Sequence, residues 1–539
     1  MKRLMLRGFE TSRPRAVDRG RLPATRYSVM PVQAGIHLRF LSKADENLDT
    51  GLRRYDELRS RFSVKGFRVR QFKAGRYLVM LATLLALLPT LPAYAAESKF
   101  DWKGLEAEAV TMLSRYIQVD TTNPPGNEIK GAQFLKTILD REGIEARVIE
   151  SAPGRANLYA RLKGSGAKKP IVLMHHMDVV PAEARLWKEP PFSGVVKDGV
   201  IWGRGSLDNK GGGVMALMTL LALKRQNIQP KGDIIFLGTA DEEAGGVFGA
   251  GFLLDKHPEL FKDVSVVFNE GGGIRVGDDG KARQYSVGVA EKVPLWLKLT
   301  APGTPGHAAS PGDNQAVLKL VAALNRLANF QTPIKVTPEV QKFYADSAAS
   351  APANRREQYL DLRKALQDSS FAAEFLKDRS NNARVRNTIS ITGIKGSEKI
   401  NVIAAEASAE VDVRLLPGEE AQMFIAELRK VLADESIKIE VLLSRTAATS
   451  PLNPEAMKVI TDYAKAHDPE ATILFPVGSG FTDCHFFRAK GIPCLGFSPQ
   501  RSTASSEGLV HGVDERVAVE RLTTAIRAIY EIVSKLAVE

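Results

Sequence analysis

A chain of 539 residues exceeds what a single hydrophobic core organises, so two or three domains are expected. Its formal charge of +12 suggests a nucleic-acid partner, but residues 1–95 hold 19 Lys and Arg against 7 Asp and Glu, which is the whole excess, and residues 96–539 hold 55 of each. That neutral main body excludes an electrostatic nucleic-acid interface, and a total of two cysteines excludes a disulfide framework or a thiolate zinc cluster.

In the N-terminal region, Lys65, Arg68, Arg70, Lys73 and Arg76 precede an apolar run from Tyr77 to Leu91, and Ala93-Tyr94-Ala95 follows. Basic, apolar, then small residues are the order of a signal peptide, assigned to residues 65–95 with cleavage after Ala95. The run falls short of the ~20 residues a spanning helix needs, and Pro89 and Pro92 interrupt it, so no stable membrane span is expected after cleavage. Export to a bacterial periplasm or beyond follows. Residues 1–64 read as an untranslated or disordered extension, because a signal peptide belongs at the start of a chain.

Residues 103–118 and 129–142 carry apolar positions at helical spacing, and Ala146 to Leu162 reads as a hairpin. Ile171 to Met174 is an apolar run of the buried-strand type, and it ends in His175-His176-Met177-Asp178. Gly203-Arg204-Gly205-Ser206-Leu207-Asp208-Asn209-Lys210-Gly211-Gly212-Gly213 leads into an apolar helix. A phosphate loop would need a Gly-Lys-Ser/Thr ending and a strand running directly into it, and neither is expected here. Two further apolar runs end in acids: Ile234 to Thr239 in Asp241-Glu242-Glu243, and Val264 to Phe268 in Asn269-Glu270. From Pro294 to Arg414 the strands alternate instead, as half-exposed strands do, with helices near 314–329 and 418–433. Residues 335–386 are charged and helical in character.

The expected architecture is an α/β domain, with a mixed, mostly parallel central sheet flanked by helices, interrupted by an inserted α+β domain. The first domain takes residues 96–292 and 447–539. The insert takes 293–446, with its own helical insertion at about 335–386.

Any one charged loop after a strand is usually just solvated. Three strands ending in His or acids, plus Asp208, make a shared site the better reading, because open α/β sheets place their chemistry past the carboxyl ends of strands. The candidates are His176, Asp178, Asp208, Glu242, Glu243, Glu270 and His511. Imidazoles and carboxylates without thiolates suit zinc, manganese or cobalt, and a two-ion site with a spare carboxylate suits hydrolysis of an amide.

These motifs resemble the M20 family of di-zinc peptidases and deacylases, over about residues 97–539. His176-Met177-Asp178-Val179-Val180-Pro181 matches the first metal motif, and Gly203-Arg204-Gly205 with Asp208-Asn209-Lys210-Gly211 the second. The resemblance implies two Zn2+, with Co2+ or Mn2+ as substitutes. His176 and Glu270 would hold one ion, Glu243 and His511 the other, and Asp208 would bridge. Glu242 would be the general base and acid, and Asp178 would orient His176. His307 would polarise the scissile carbonyl from an inserted lid that often dimerises in the family. Asn401 and Arg414 would bind the substrate carbonyl and terminal carboxylate. His175 replaces the more usual Gly before the metal His, and Ala308-Ala309 replaces small hydroxyl residues after His307.

Organisation resembles the carboxypeptidase S and secreted N-acyl amino acid hydrolase branch. The expected activity is cleavage of a C-terminal amino acid from a peptide, or of the amide of an N-acyl amino acid. The alternatives are a dipeptidase reading a free amino terminus and an inactive binding or scaffold member. His175, His257, His467 and His485 match no ligand position. Asp483 either orients the glycine-rich loop before it or caps a helix. Cys484 and Cys494 are open to pairing or to being two buried thiols.

Overall fold

The computed structural model describes residues 100–503 and 509–539, so the signal peptide expected at 65–95 and the extension expected at 1–64 lie outside the described residues. Helix α1 (Trp102–Gln118) starts where the Asp101 side chain accepts from the Gly104 amide at 2.9 Å, and α2 (Glu128–Arg141) follows. Strands β1 (Glu145–Ala152) and β2 (Arg155–Leu162) form the expected antiparallel hairpin. Strand β3 (Ile171–His176), helix α3 (Lys210–Arg225), strand β4 (Ile234–Thr239) and strand β5 (Val266–Asn269) come next.

The central sheet has the order β1-β2-β4-β3-β5, closed at its far edge by the strand Cys494–Gly496. β3 runs parallel to both β4 and β5, and the edge strand runs parallel to β5, while β1 and β2 run antiparallel. Every residue of β3, β4 and β5 is buried, which is why these runs read as continuously apolar rather than alternating. The fold class is therefore α/β with a mixed, mostly parallel sheet.

Helix α3 packs on β3, and its glycines make that approach feasible. A Cβ on Gly213 would lie 2.3 Å from the His175 ring, and one on Gly211 2.2 Å from the Ser206 carbonyl oxygen. The expectation that no strand leads into this glycine-rich loop is corrected: the short strand Val200–Trp202 ends directly at Gly203. The loop serves helix–sheet packing and delivers Asp208.

A second, separate core lies under a four-stranded antiparallel sheet. Its strands are β6 (Val293–Pro302), β7 (Thr388–Lys395), β8 (Glu406–Leu415) and β9 (Lys438–Ser444), in the order β7-β8-β6-β9. Along β8 the residues at alternate positions, from Ala407 to Leu415, are buried, so one face is dry and the other open. Helices Ala316–Asn329 and Ala421–Leu432 cover the dry face with Leu320, Leu324, Phe424 and Leu428. Residues 338–384 form short helices around a third apolar cluster that includes Phe343, Tyr344 and Phe375. The Lys292 ammonium, one residue before β6, donates to the carbonyls of Ala383 and Arg386 and to the Thr388 hydroxyl at 2.9–3.1 Å, tying this helical segment to the start of the second sheet. Among the described residues no helix is long and apolar enough to cross a membrane.

Cys484 and Cys494 form a disulfide, and both residues are fully buried. The bond closes a loop of ten residues around the helix Cys484–Ala489, a length for which loop-closure entropy corresponds to about 3 kcal/mol. Replacing both cysteines by serine is expected to lower the unfolding free energy by about that amount, read by denaturant titration. An unchanged midpoint would show that the bond contributes nothing.

Candidate metal centre

Three strand ends and two loops converge beyond the carboxyl edge of the central sheet. His176 is the last residue of β3, Glu242 and Glu243 follow β4 in a single turn, and Glu270 follows β5. The loop before α3 supplies Asp208, and the segment before the C-terminal helix Val519–Ala537 supplies His511.

Asp208 stands between the two imidazoles. Its Oδ1 lies 2.9 Å from His176 Nε2 and its Oδ2 lies 3.1 Å from His511 Nε2. Glu270 Oε1 is 3.5 Å from the same His176 nitrogen, and Glu243 Oε2 is 3.1 Å from the same His511 nitrogen. Two triads result, His176–Asp208–Glu270 and Asp208–Glu243–His511, each with its ligand atoms within 4.8 Å of one another and with Asp208 in common.

Asp178 is fully buried beneath them. Its carboxylate accepts the amides of Glu242 and Glu243, both at 3.1 Å, and the Asn123 side-chain amide at 2.8 Å. His176 Nδ1 meets the Asp178 backbone carbonyl at 3.0 Å and the carboxylate only at 3.5 Å. The side chain of Asp178 thus fixes the Glu242–Glu243 turn, and its main chain orients the His176 ring.

Burial and mutual repulsion dominate the electrostatics. Glu242 is held well above the ordinary carboxylate range by burial, with Glu270, Glu243 and Asp483 adding to the effect. Glu270 is pushed up to about 7 by burial and by Asp208 and Glu243, against the pull of His176. Glu243 is raised by burial and by Asp208. Burial opposes charge on His176, yet Glu270, Asp178 and Asp208 raise it well above the usual histidine range. Hydrogen bonds to Asp208 and Glu243 raise His511 to about 10.

The chain matches the model of peptidase family M20/M25/M40 over residues 172–535. It belongs to that family. It is 28% identical over 493 residues to the human N-fatty-acyl-amino acid synthase/hydrolase PM20D1, covering 85% of this chain and 95% of that protein. A probable carboxypeptidase S-like protein from Dictyostelium discoideum is 26% identical, with 68% of this chain and 71% of that one covered. Among solved structures, an M20 family metallo-carboxypeptidase from Sulfolobus solfataricus superimposes with a TM-score of 0.63 at 18% identity, over 80% of this chain and 99% of that one. This M20 member is accordingly a hydrolase of the metallopeptidase class.

The donor set of the M20 chain fits a pair of divalent cations. Asp208 turns one oxygen to each imidazole, no thiolate is present, and Glu243 Oε1 is buried with no hydrogen-bond partner, so it is free to serve as a ligand. His175, by contrast, is a core residue: it is fully buried, stacks on Phe236 at 5.1 Å and meets the Tyr116 hydroxyl at 3.3 Å. Burial lowers it to about 3, so it stays neutral.

Sequence reading missed the residues that hold the ligand loops. Glu515, fully buried, accepts the amides of Leu207 and Asp208 at 2.8 and 3.2 Å and pairs with Arg204 at 2.7 Å, which seats the Asp208 loop. Lys210 is equally buried and caps the end of α1 by donating to the carbonyls of Tyr116 and Val119 at 3.2 and 2.6 Å. The available signal was the place of Lys210 two residues after Asp208 and of Glu515 four residues after His511.

On the second sheet, His307 pairs with Val402 in a two-stranded ribbon, and the Ala308 amide donates to the Asn401 carbonyl at 3.1 Å. Arg414 lies on the open face of β8, where its fork donates to Asp412 at 2.9 and 3.1 Å. Among the described residues, no hydrogen bond or ion pair of His307, Asn401 or Arg414 reaches the His176 cluster. Asp483 precedes the helix Cys484–Ala489 but does not cap it through its side chain; both of its oxygens are buried without partners, and burial raises it to about 8.

Proposed function

We propose that the protein is an exported amidohydrolase that carries two zinc ions and releases an amino acid with a free carboxylate, from an N-acyl amino acid or from the C-terminus of a peptide. The observation that carries this reading is Asp208 standing between His176 and His511 with Glu242 buried beside them. His176 and Glu270 would hold one ion, Glu243 and His511 the other, with Asp208 shared. When bound, such a pair polarises an amide carbonyl and brings the ionisation of water towards neutral pH.

Glu242 takes the proton of the attacking water and returns it to the leaving nitrogen. Its raised proton affinity suits a group that must accept a proton and then give it away. Asp178 and Asn123 hold the turn on which Glu242 sits. Residues 293–446 act as a lid with a helical insertion at about 335–386, and residues 96–292 with 447–539 form the catalytic domain. His307 and Asn401 bind the substrate carbonyl, and the Arg414 fork exchanges Asp412 for the substrate carboxylate. The lid is also the proposed surface for self-association.

Two further points support the reading. The disulfide suits an oxidising compartment and hence export. The relatives named for N-fatty-acyl-amino acid and carboxypeptidase S-like activity are similar over most of the described residues.

A substrate panel tests the proposal. N-acyl amino acids with a free carboxylate are expected to be hydrolysed, and their carboxamides to be poor substrates. Arg414→Ala should raise KM at least ~10-fold for the carboxylates, with a smaller change in kcat. A strict requirement for a free amino terminus would instead establish a dipeptidase.

A further inference from the structure

The turn that carries Glu242 and Glu243 starts from a residue in an unfavourable backbone conformation. Asp241 has φ +70°, in the left-handed region that non-glycine residues rarely occupy. It is buried, and every polar group it has is engaged. Its carbonyl accepts the amides of Ala244 and Gly246 at 3.1 and 2.6 Å. Its amide donates to Glu128 at 3.2 Å, and its Oδ2 accepts the Phe248 amide at 3.1 Å. Its Oδ1 takes the Arg155 guanidinium at 2.6 Å and the Asn123 amide at 3.4 Å.

Arg155 is the hub of this arrangement. Its Nε and Nη2 donate to both oxygens of the fully buried Glu128 at 2.8 Å, while Nη2 also reaches Asp241. The Phe248 ring covers the guanidinium at 5.1 Å. Two residues along the same face of β2, Asn157 accepts the Ala240 amide at 3.0 Å and donates to the Phe248 carbonyl at 2.9 Å. Strand β2 therefore grips the loop 240–248 at both ends, and Arg155 bridges the carboxylates of Glu128 and Asp241.

We propose that Arg155 is a positioning residue for hydrolysis: through Asp241 it sets the backbone of the turn that aims Glu242 and Glu243. This rests on reading Glu242 as the proton carrier and Glu243 as a ligand. A lysine there would supply the charge without the fork, so it could not bridge Glu128 and Asp241 with the same geometry.

The test compares Arg155→Lys with wild type in zinc titrations against a chromophoric chelator and in kinetics on an N-acyl amino acid at saturating zinc. One of the two zinc ions is expected to bind ~10- to 100-fold more weakly, the other within ~3-fold of wild type, and kcat at saturating zinc to fall at least ~10-fold with KM little changed. Asp241→Asn should give the same pattern, and the double variant should lose no more kcat than the worse single one. Wild-type zinc affinities and kcat with only a lowered melting temperature would overturn the proposal, as would equal weakening of both ions. If Arg155→Lys does not fold, the Asp241→Asn titration decides by the same criteria. Full activity of Glu242→Ala would instead overturn the underlying reading, whatever Arg155 does.

Discussion

Glu242→Ala is expected to retain two metal ions per chain while losing at least ~100-fold in turnover, the scale of general acid–base catalysis. The retention of metal follows from the geometry. Glu242 belongs to neither ligand triad, and the contact that seats its turn is made by its backbone amide, which donates to Asp178 whatever the side chain. The loss of turnover follows from chemistry: among the described residues, no other carboxylate near His176 is free of a ligand or structural task except Asp483, which lies buried without an exposed oxygen. Metal analysis by mass spectrometry and single-substrate kinetics check the two halves separately. A variant that turned over normally would remove Glu242 from the reaction, and one that lost its metal would make it a ligand instead.

Asp208→Ala is expected to have a larger effect. Among the described residues, Asp208 is the one group within 3.1 Å of both imidazoles, so its loss weakens both triads at once. Metal content should fall from two ions to one or none. Activity should drop at least ~1000-fold, because the transition-state charge stabilisation a metal site provides amounts to several kcal/mol. By comparison, a change behind the ligands costs ~10- to 100-fold. The Glu515→Gln variant is the matched control: it leaves Asp208 in place but weakens the buried Arg204 pair that seats its loop. Two retained ions in Asp208→Ala would exclude a shared ligand.

Much of this arrangement could be read from the sequence because buried parallel strands leave a strong trace. The runs at Ile171, Ile234 and Val264 have no polar face, so the abrupt arrival of His176, Glu242 and Glu270 at their ends marks where the sheet stops and a site begins. Asp208 was legible for a related reason, since three glycines after it signal close packing, which the contact between Gly213 and the His175 ring explains. His511 owed its role to family resemblance: it lies 241 residues after Glu270, and Leu509-Val510-His511-Gly512-Val513-Asp514 follows neither a helix nor a strand period.

Of the supports, Asp178 was legible, and the residues behind it were not. Arg155 follows a turn glycine, Asn123 sits beside two prolines and Asp241 opens an acidic loop, and each of these positions usually has a bland explanation. Only the fold shows that Arg155 and Asp241, 86 residues apart, share a buried ion pair. The cysteine pairing was likewise undecidable from spacing, because it depends on the helix that folds between Cys484 and Cys494.

Side chains from distant parts of the chain are proposed to hold a pair of cations, and anomalous diffraction from crystals grown with zinc would locate them. Two peaks are expected, one bounded by His176, Asp208 and Glu270 and the other by Asp208, Glu243 and His511. A single peak, or two peaks elsewhere on the molecule, would contradict it.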